Sequence, residues 1–357
     1  MKTKNSIIFS FCLLFITSFS LKSQVTDLGN FMGGGVNDAN ELFKSYLSPY
    51  VNGFGASLTG GWYNTAKPHK LGGFDITVTF NTAIVPDDSR YFNVNDLDLQ
   101  TFALATGADP STPTIAGPGE NGAQLVYNFP DVPEFDAFRL PEGINNKYVP
   151  SPMLQAGVGL IKGTEIMGRW MPTLNFGDNS LGMWGVGLKH SIKQWIPVLQ
   201  RLPVLHLSVM GGYTKLNNST AISVEPSDIG APAGLYPPSW TFDNQSMEVD
   251  VNSFTANLLV SANLPVVCFY GGVGIANTKT NLKLLGYYPI VTADGANVTV
   301  DRELDPLDIE IKNQDGGLTK PRLNAGVRFK FAVVTLHFDY TYANYSVATA
   351  GLGISFR

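Results

Sequence analysis

Read by parity, residues 323–357 separate into three runs. Leu323, Ala325, Val327, Phe329 and Phe331 alternate with Asn324, Gly326, Arg328 and Lys330. Leu336, Phe338, Tyr340 and Tyr342 alternate with Thr335, His337, Asp339 and Thr341. Leu352, Ile354 and Phe356 alternate with Gly351, Gly353, Ser355 and Arg357. Strict period-two alternation gives each strand one apolar and one polar face. The breaks near Ala332-Val333 and Ala343-Asn344 are so short that the strands must be antiparallel neighbours. In a soluble sandwich the apolar face looks inward; in a transmembrane barrel it meets lipid and the polar face lines a lumen. Arg328, Lys330 and Asp339 are too charged for a sandwich core. The runs are about ten residues long, enough to cross a bilayer at a tilt. Tyrosines fall near strand ends, where an aromatic girdle sits. The pattern therefore predicts an all-β fold, a transmembrane antiparallel β-barrel.

The same signature recurs upstream. Residues 54–64 and 71–83 read as strands about a turn at 65–69; in the second, Phe74, Ile76, Val78 and Phe80 oppose Asp75, Thr77 and Thr79. Further strands are predicted over 96–105, 153–161, 165–171, 181–190, 204–215, 249–262 and 266–277. Three stretches, 107–152, 216–245 and 278–319, read as long loops, with strand-like pieces near 125–127, 281–285 and 297–300. The count is about 12 strands, or 14 if a loop hides a crossing. Long loops alternate with tight gaps at 162–163, 263–265 and 332–333. From a periplasmic start every long loop falls outside, the asymmetry of bacterial barrels.

Two stretches break the period of two. Ala39, Leu42, Phe43, Tyr46, Leu47 and Tyr50 form one helical stripe. Asp38 and Glu41 have capping-box spacing, and Pro49 is expected to end the helix. Leu42, Phe43, Tyr46 and Leu47 are the candidate plug face. Gly33-Gly34-Gly35 and Asn52-Gly53 would let the helix fold back into the barrel, inside or across its periplasmic mouth. Residues 192–200 read as a short amphipathic segment at the membrane interface, anchored by Trp195.

Residues 1–23 read as a signal peptide, with Lys2 and Lys4 before an apolar run too short to span. The expected layout is thus signal 1–23, leader and hatch helix 24–53, and barrel 54–357 in the outer membrane of a Gram-negative bacterium. Only 15% of residues are charged, against about 25% in soluble domains. A net charge of -5 offers nothing to nucleic acid. Cleavage would leave Cys268 alone, so no internal disulfide can form.

Candidate chemistry lies on the polar faces. Glu165, Arg169, Lys189, Arg328 and Lys330 point to the lumen by parity. They would either bind an anionic headgroup and set selectivity, or form a network that fills and stiffens the barrel. His337 and Asp339, about 7 Å apart along one strand face, are candidates for a base and its orienting carboxylate. A polar lumen contact is the simpler reading, and no Gly-x-Ser-x-Gly elbow accompanies them. His69, His190, His206 and His337 show no metal-ligand spacing, so neither metal nor cofactor is expected. Asp294, Asp301, Glu303, Asp305, Asp308, Glu310 and Asp315 make one loop acidic without a calcium-loop motif.

The signal, the helix before the first strand and the long outer loops together resemble barrels of the long-chain fatty acid transporter (FadL) class. That class's Asn-Pro-Phe hatch motif is absent. Gly53-Phe54-Gly55 through Gly61-Trp62-Tyr63-Asn64-Thr65-Ala66-Lys67-Pro68-His69 to Gly73-Phe74-Asp75, and Lys189-His190-Ser191-Ile192-Lys193-Gln194-Trp195-Ile196-Pro197 to Gly212-Tyr213-Thr214, are similar to an uncharacterised family of predicted barrels from Bacteroidota. The last strand, ending Phe356-Arg357, resembles the C-terminal strand of outer-membrane proteins, which implies the barrel-assembly machinery and outer-membrane lipid as partners. The expected function is passage of a small hydrophobic or amphipathic solute. The alternatives are a non-transporting scaffold and, behind it, a barrel-embedded hydrolase.

Overall fold

The computed structural model describes residues 28–356, apart from 131, 178, 230, 232–233, 295–296 and 313–319. The signal segment, Asp315 and Arg357 lie outside the described residues. Ten strands close into one ring: β1 (Phe74–Ile84), β2 (Tyr148–Gly159), β3 (Thr164–Phe176), β4 (Asn179–Ser191), β5 (Leu205–Ala221), β6 (Ser246–Asn263), β7 (Val267–Leu285), β8 (Lys320–Phe331), β9 (Val334–Tyr342) and β10 (Ser346–Phe356). Each pairs antiparallel with its sequence neighbours, and β1 pairs with β10 from Phe74↔Phe356 to Ile84↔Ser346. No barrel strand is left as an edge.

The parity of the sequence sets which face is which. In β9, Thr335, His337, Asp339 and Thr341 are buried while Phe338, Tyr340 and Tyr342 are exposed. The exposed set continues round the barrel with Ile76, Val78, Trp184, Val186, Leu188, Val260, Phe269, Val273, Leu352 and Ile354. A continuous apolar exterior over a polar interior is the lipid-facing arrangement.

The count of ten corrects the expected 12–14, and the causes are local. Residues 54–64 are not a strand: helix α1 runs Gly35–Thr59 and the chain then continues as coil to β1. Pro49 sits inside α1 rather than ending it. The proline deprives the Ser45 carbonyl of its usual partner, but residues 46–53 around it are all buried, and that packing holds the helix. Asp38 gives no cap to α1 and its carboxylate is used elsewhere, as described below. The expected strand over 96–105 shrinks to Phe102–Leu104, in a small sheet with Gln124–Tyr127 and Phe135–Arg139. Segments of three to five residues are too short to cross a bilayer.

The long connections 85–147, 222–245 and 286–319 all leave from one rim; the other rim carries 160–163, 192–204, 264–266 and 332–333. On the long-loop rim β5, β6 and β7 overrun the bilayer length at 17, 18 and 19 residues. Above the ring the hairpin Tyr287–Asp294/Asn297–Leu304 and the strand Leu307–Lys312 are added, the latter paired to upper β7. Part of the acidic loop is neutralised there, Glu310 by Lys279 at 2.7 Å and Asp308 by Lys283 at 2.9 Å. The segment expected at the interface forms two short turns, Lys193–Trp195 and Pro197–Gln200, with Trp195 and Val198 exposed.

Candidate functional site: a lumen filled by its own chain

Eight strands already give an interior that side chains fill; ten leave room for more. Residues 28–73 take that room. The helix α1 is 25 residues, about 37 Å long. Its start lies among the long loops, and the chain then descends through the lumen to enter β1 at the tight-turn rim. The expected helix lies inside or across the mouth on the tight-turn side; α1 instead starts at the opposite rim, and the coil after it reaches that mouth. Because β1 starts at the tight-turn rim, a segment that begins among the loops has to travel the whole barrel.

The apolar stripe therefore packs against loops. Leu42, Phe43, Tyr46 and Leu47 are buried, in one core with Phe31, Met32, Phe102, Leu125, Tyr127, Phe138, Leu282, Tyr288 and Ile290. Phe31 and Phe43 meet edge-to-face at 5.1 Å. The Asp38 carboxylate accepts backbone N–H bonds from Gln100 (2.7 Å), Thr101 (2.9 Å) and Phe102 (2.7 Å), fastening the loop to the helix. Burial pushes the Tyr127 phenol up, and its hydroxyl donates to the Ile229 carbonyl at 3.0 Å. A small apolar cavity bounded by Leu28, Met32, Phe43, Val224 and Tyr288 holds about 10 Å³, at most one water.

Deeper in the lumen the contacts become polar. A helix ends with carbonyls that have no partner in the helix, and here the barrel wall supplies the donors. Ser253 Oγ donates to the Gly55 carbonyl at 3.2 Å and Asn81 Nδ2 to that of Ser57 at 2.9 Å. Arg169 donates from Nη1 to Leu58 at 2.9 Å and from Nη2 to Gly60 at 2.6 Å. Arg322 Nη1 donates to Thr59 at 3.0 Å. Two guanidinium groups at a helix C-terminus also meet its negative dipole end. Below them Trp62 lies buried against Gly187 and Gly212, cross-strand partners in β4 and β5. A Cβ on either glycine would come within 2.7 Å or 2.6 Å of the indole, so only glycine admits it.

The remaining coil is tied down link by link. Ser208 Oγ donates to the Ala66 carbonyl, and the Ala66 N–H donates to Ser261 Oγ at 3.1 Å. Arg328 Nη1 donates to Asn64 Oδ1 at 3.0 Å. Lys189 pairs with Glu165 at 2.9 Å, and Glu165 accepts the His69 N–H at 2.8 Å. Lys330 faces the rim, with Nζ 3.3 Å from the Ser355 carbonyl. Of the polar residues singled out by parity, Glu165, Arg169, Lys189 and Arg328 thus hold the lumen segment, while Lys330 ties β8 to β10.

His337 and Asp339 both face the lumen but do not join. Asp339 accepts from Tyr270 Oη at 2.9 Å and Asn324 Nδ2 at 2.7 Å. Neither ring nitrogen of His337 has a partner among the described residues. The base–orienter pair is not assembled. Arg322 stands one step outside the alternating run 323–331. It lies two positions before Asn324 and shares its face, so extending the run by one step finds it.

The fold and this interior define a class: a transmembrane β-barrel stoppered by its own N-terminal segment. The chain belongs to the Family of unknown function (DUF6588), whose model matches residues 1–356. No curated protein matches the sequence. Among solved structures it is similar to the transport unit of the autotransporter AIDA-I from Escherichia coli, at 10% identity over 87% of this chain and 99% of that one, TM-score 0.34. It is similar also to the translocator domain of the autotransporter NalP from Neisseria meningitidis, at 11% identity over 81% and 89%, TM-score 0.30. The P. putida toluene transporter TodX follows at 12% identity over 80% and 67%, TM-score 0.25.

Proposed function

We propose that this protein sits in the outer membrane as a gated channel for a small amphipathic or hydrophobic solute, and that residues 35–73 are its gate. One observation supports this above the others: residues 60–73 occupy the lumen with no covalent tie, held by hydrogen bonds to the wall and by one apolar patch in which Trp62 and Tyr63 meet Met167, Met210, Leu259 and Tyr270. Withdrawing that coil would uncover Gln155, Ser208, Ser261 and Arg328 beside Met167, Met210 and Leu259, a mixed surface suited to an amphipathic solute. The apolar core around α1 stands above this path and offers the greasy half of an amphipathic solute its first contact. Lipid around the apolar exterior, and the assembly machinery at the β10 strand, are the partners this reading implies.

A second reading has its own observation. The loops close over α1 with a core of their own, so a barrel that only presents those loops to a partner is also consistent with a filled lumen. A reversible tether separates the two. A Cβ at Gly53 would lie 3.2 Å from Val149 Cβ, close to the roughly 3.5–4.5 Å of a disulfide. Gly53→Cys with Val149→Cys, in a Cys268→Ser background, should lock α1 to β2. In liposomes the channel reading expects solute flux in reductant and none when oxidised. No flux in either state favours the scaffold, and equal flux in both would show an open channel that residues 35–73 do not gate.

A further inference from the structure

The histidines are too scattered in sequence for a metal motif, yet the fold gathers ligands from three places. His69 lies at the end of the lumen coil, Asp75 at the start of β1 and Glu165 at the start of β3. One potential ligand atom from each lies within 4.8 Å of the other two. His69 Nε2 and Asp75 Oδ1 are 3.1 Å apart. Two ligands of one tetrahedral ion, at bonds of about 2.0–2.2 Å, sit about 3.3–3.5 Å apart.

The surroundings suit an ion as well. Gly157 of β2 lies under the cluster: a Cβ there would come 2.6 Å from Asp75 Oδ1 and 3.2 Å from Glu165 Oε1. Both carboxylate oxygens converge on a spot that any other residue would fill. The other oxygens are already oriented. Thr77 Oγ1 donates to Asp75 Oδ2 at 3.1 Å and the His69 N–H to Glu165 Oε2 at 2.8 Å. Lys189 occupies one lone pair of Glu165 Oε1, and a carboxylate oxygen has a second to give. The two carboxylates face Lys189 in contact and Arg328 farther off, so the charges balance and a bound ion would draw on ligand geometry, not on excess negative charge. The His69 and Asp75 side chains keep 15% and 13% exposure, so an ion can arrive from the tight-turn rim.

We propose that His69, Asp75 and Glu165 hold a divalent transition-metal ion of the zinc class, which clasps the lumen segment to the barrel wall. One imidazole with two carboxylates is a zinc-type donor set with a fourth position open. Magnesium, which keeps most of its waters and seeks octahedral oxygen, is disfavoured. The clasp exists whether the barrel conducts or only scaffolds, so its test does not depend on transport.

The test uses the full chain, folded in detergent without a histidine tag and stripped by chelator. Calorimetric titration with Zn²⁺ should show one ion per chain, and Mg²⁺ should show no saturable binding. Co²⁺ should give a visible absorption band that Zn²⁺ displaces. His69→Ala and Asp75→Asn should each weaken Zn²⁺ by at least the ~10–100-fold that loss of an outer-shell partner costs. His190→Ala, on the same rim, should leave it unchanged. Folding of each variant is read from heat-dependent gel mobility. Should a variant not fold, the unmutated chain serves: Zn²⁺ should shield His69 from diethylpyrocarbonate, as read by mass spectrometry. Absence of saturable Zn²⁺ binding, undiminished binding in His69→Ala, or an unshielded His69 overturns the site.

Discussion

Arg169 lies over the indole of Trp62, its guanidinium carbon 3.7 Å from the ring centroid, while its nitrogens hold the carbonyls of Leu58 and Gly60. One wall residue thus binds the lumen segment by face and by fork. Lysine has a single point of charge and cannot do both. Hydrogen bonds to charged groups contribute about 1.5–3 kcal/mol each. Arg169→Ala should therefore free the lumen coil while the heat-resistant barrel survives, and Arg169→Lys should rescue little. Protease cutting between residues 60 and 70 in folded protein checks this. Cutting no faster than in wild type would show that the remaining links suffice.

Trp62 and its two glycines should behave as one unit. Gly212→Val would put methyl carbons where the indole sits and should expel it. Trp62→Ala alone should cost about 3–5 kcal/mol as a large-to-small change in a packed site. Because both changes act on one contact, their effects should not add. Thermal unfolding of the single and double variants gives the coupling. Strict additivity would mean that Trp62 is not seated where the glycines make room.

The exterior offers a graded test of the bilayer. Phe338, in mid-strand, and Tyr342, at the strand's upper end, are both exposed on β9. An arginine facing lipid costs about 2–4 kcal/mol at the midplane and about 0–1 near the interface. Phe338→Arg should lower folding stability in lipid clearly more than Tyr342→Arg. Equal costs would remove the bilayer from around this strand.

Sidedness can be read by labelling in a Cys268→Ser background. A cysteine at Ser239, in the loop 222–245, should react with an impermeant thiol reagent on intact cells. One at Leu264, on the opposite rim, should react only after the outer membrane is opened. The reverse pattern would invert the barrel.

The barrel was legible because lipid and lumen impose a two-residue period that no other environment explains as well: Phe338 beside His337, Val78 beside Thr77. What failed was whatever the lumen itself encloses. Residues 54–64 carry enough Gly, Phe and Trp to pass for a strand, and only the surrounding ring makes them helix and coil. Pro49 breaks isolated helices, and its tolerance here comes from the burial of residues 46–53 around it. Arg169 and Lys189 were placed in the lumen by parity, but their partners are backbone carbonyls and a carboxylate, which parity cannot name. His69, Asp75 and Glu165 meet only because a coil, β1 and β3 converge at one rim, and no spacing rule spans that distance.

Capping-box spacing assigns Asp38 to the helix's own start, but the fold uses it elsewhere. The side chain is fully buried and accepts from three consecutive loop amides instead. An amide left buried without a partner costs about 1–3 kcal/mol. Asp38→Ala strands all three at once. Asp38→Asn keeps one carbonyl oxygen and turns the other position into a donor facing N–H groups. Exchange of the Gln100, Thr101 and Phe102 amides should therefore quicken in both variants, more in alanine than in asparagine. The lumen links at Arg169, Arg322 and Ser208 touch none of these amides, so exchange in β3 and β5 should stay as in wild type. A uniform rise across the barrel would mean that the cap and the ring unfold together. Unchanged protection at residues 100–102 would mean that Asp38 does not hold the loop at all.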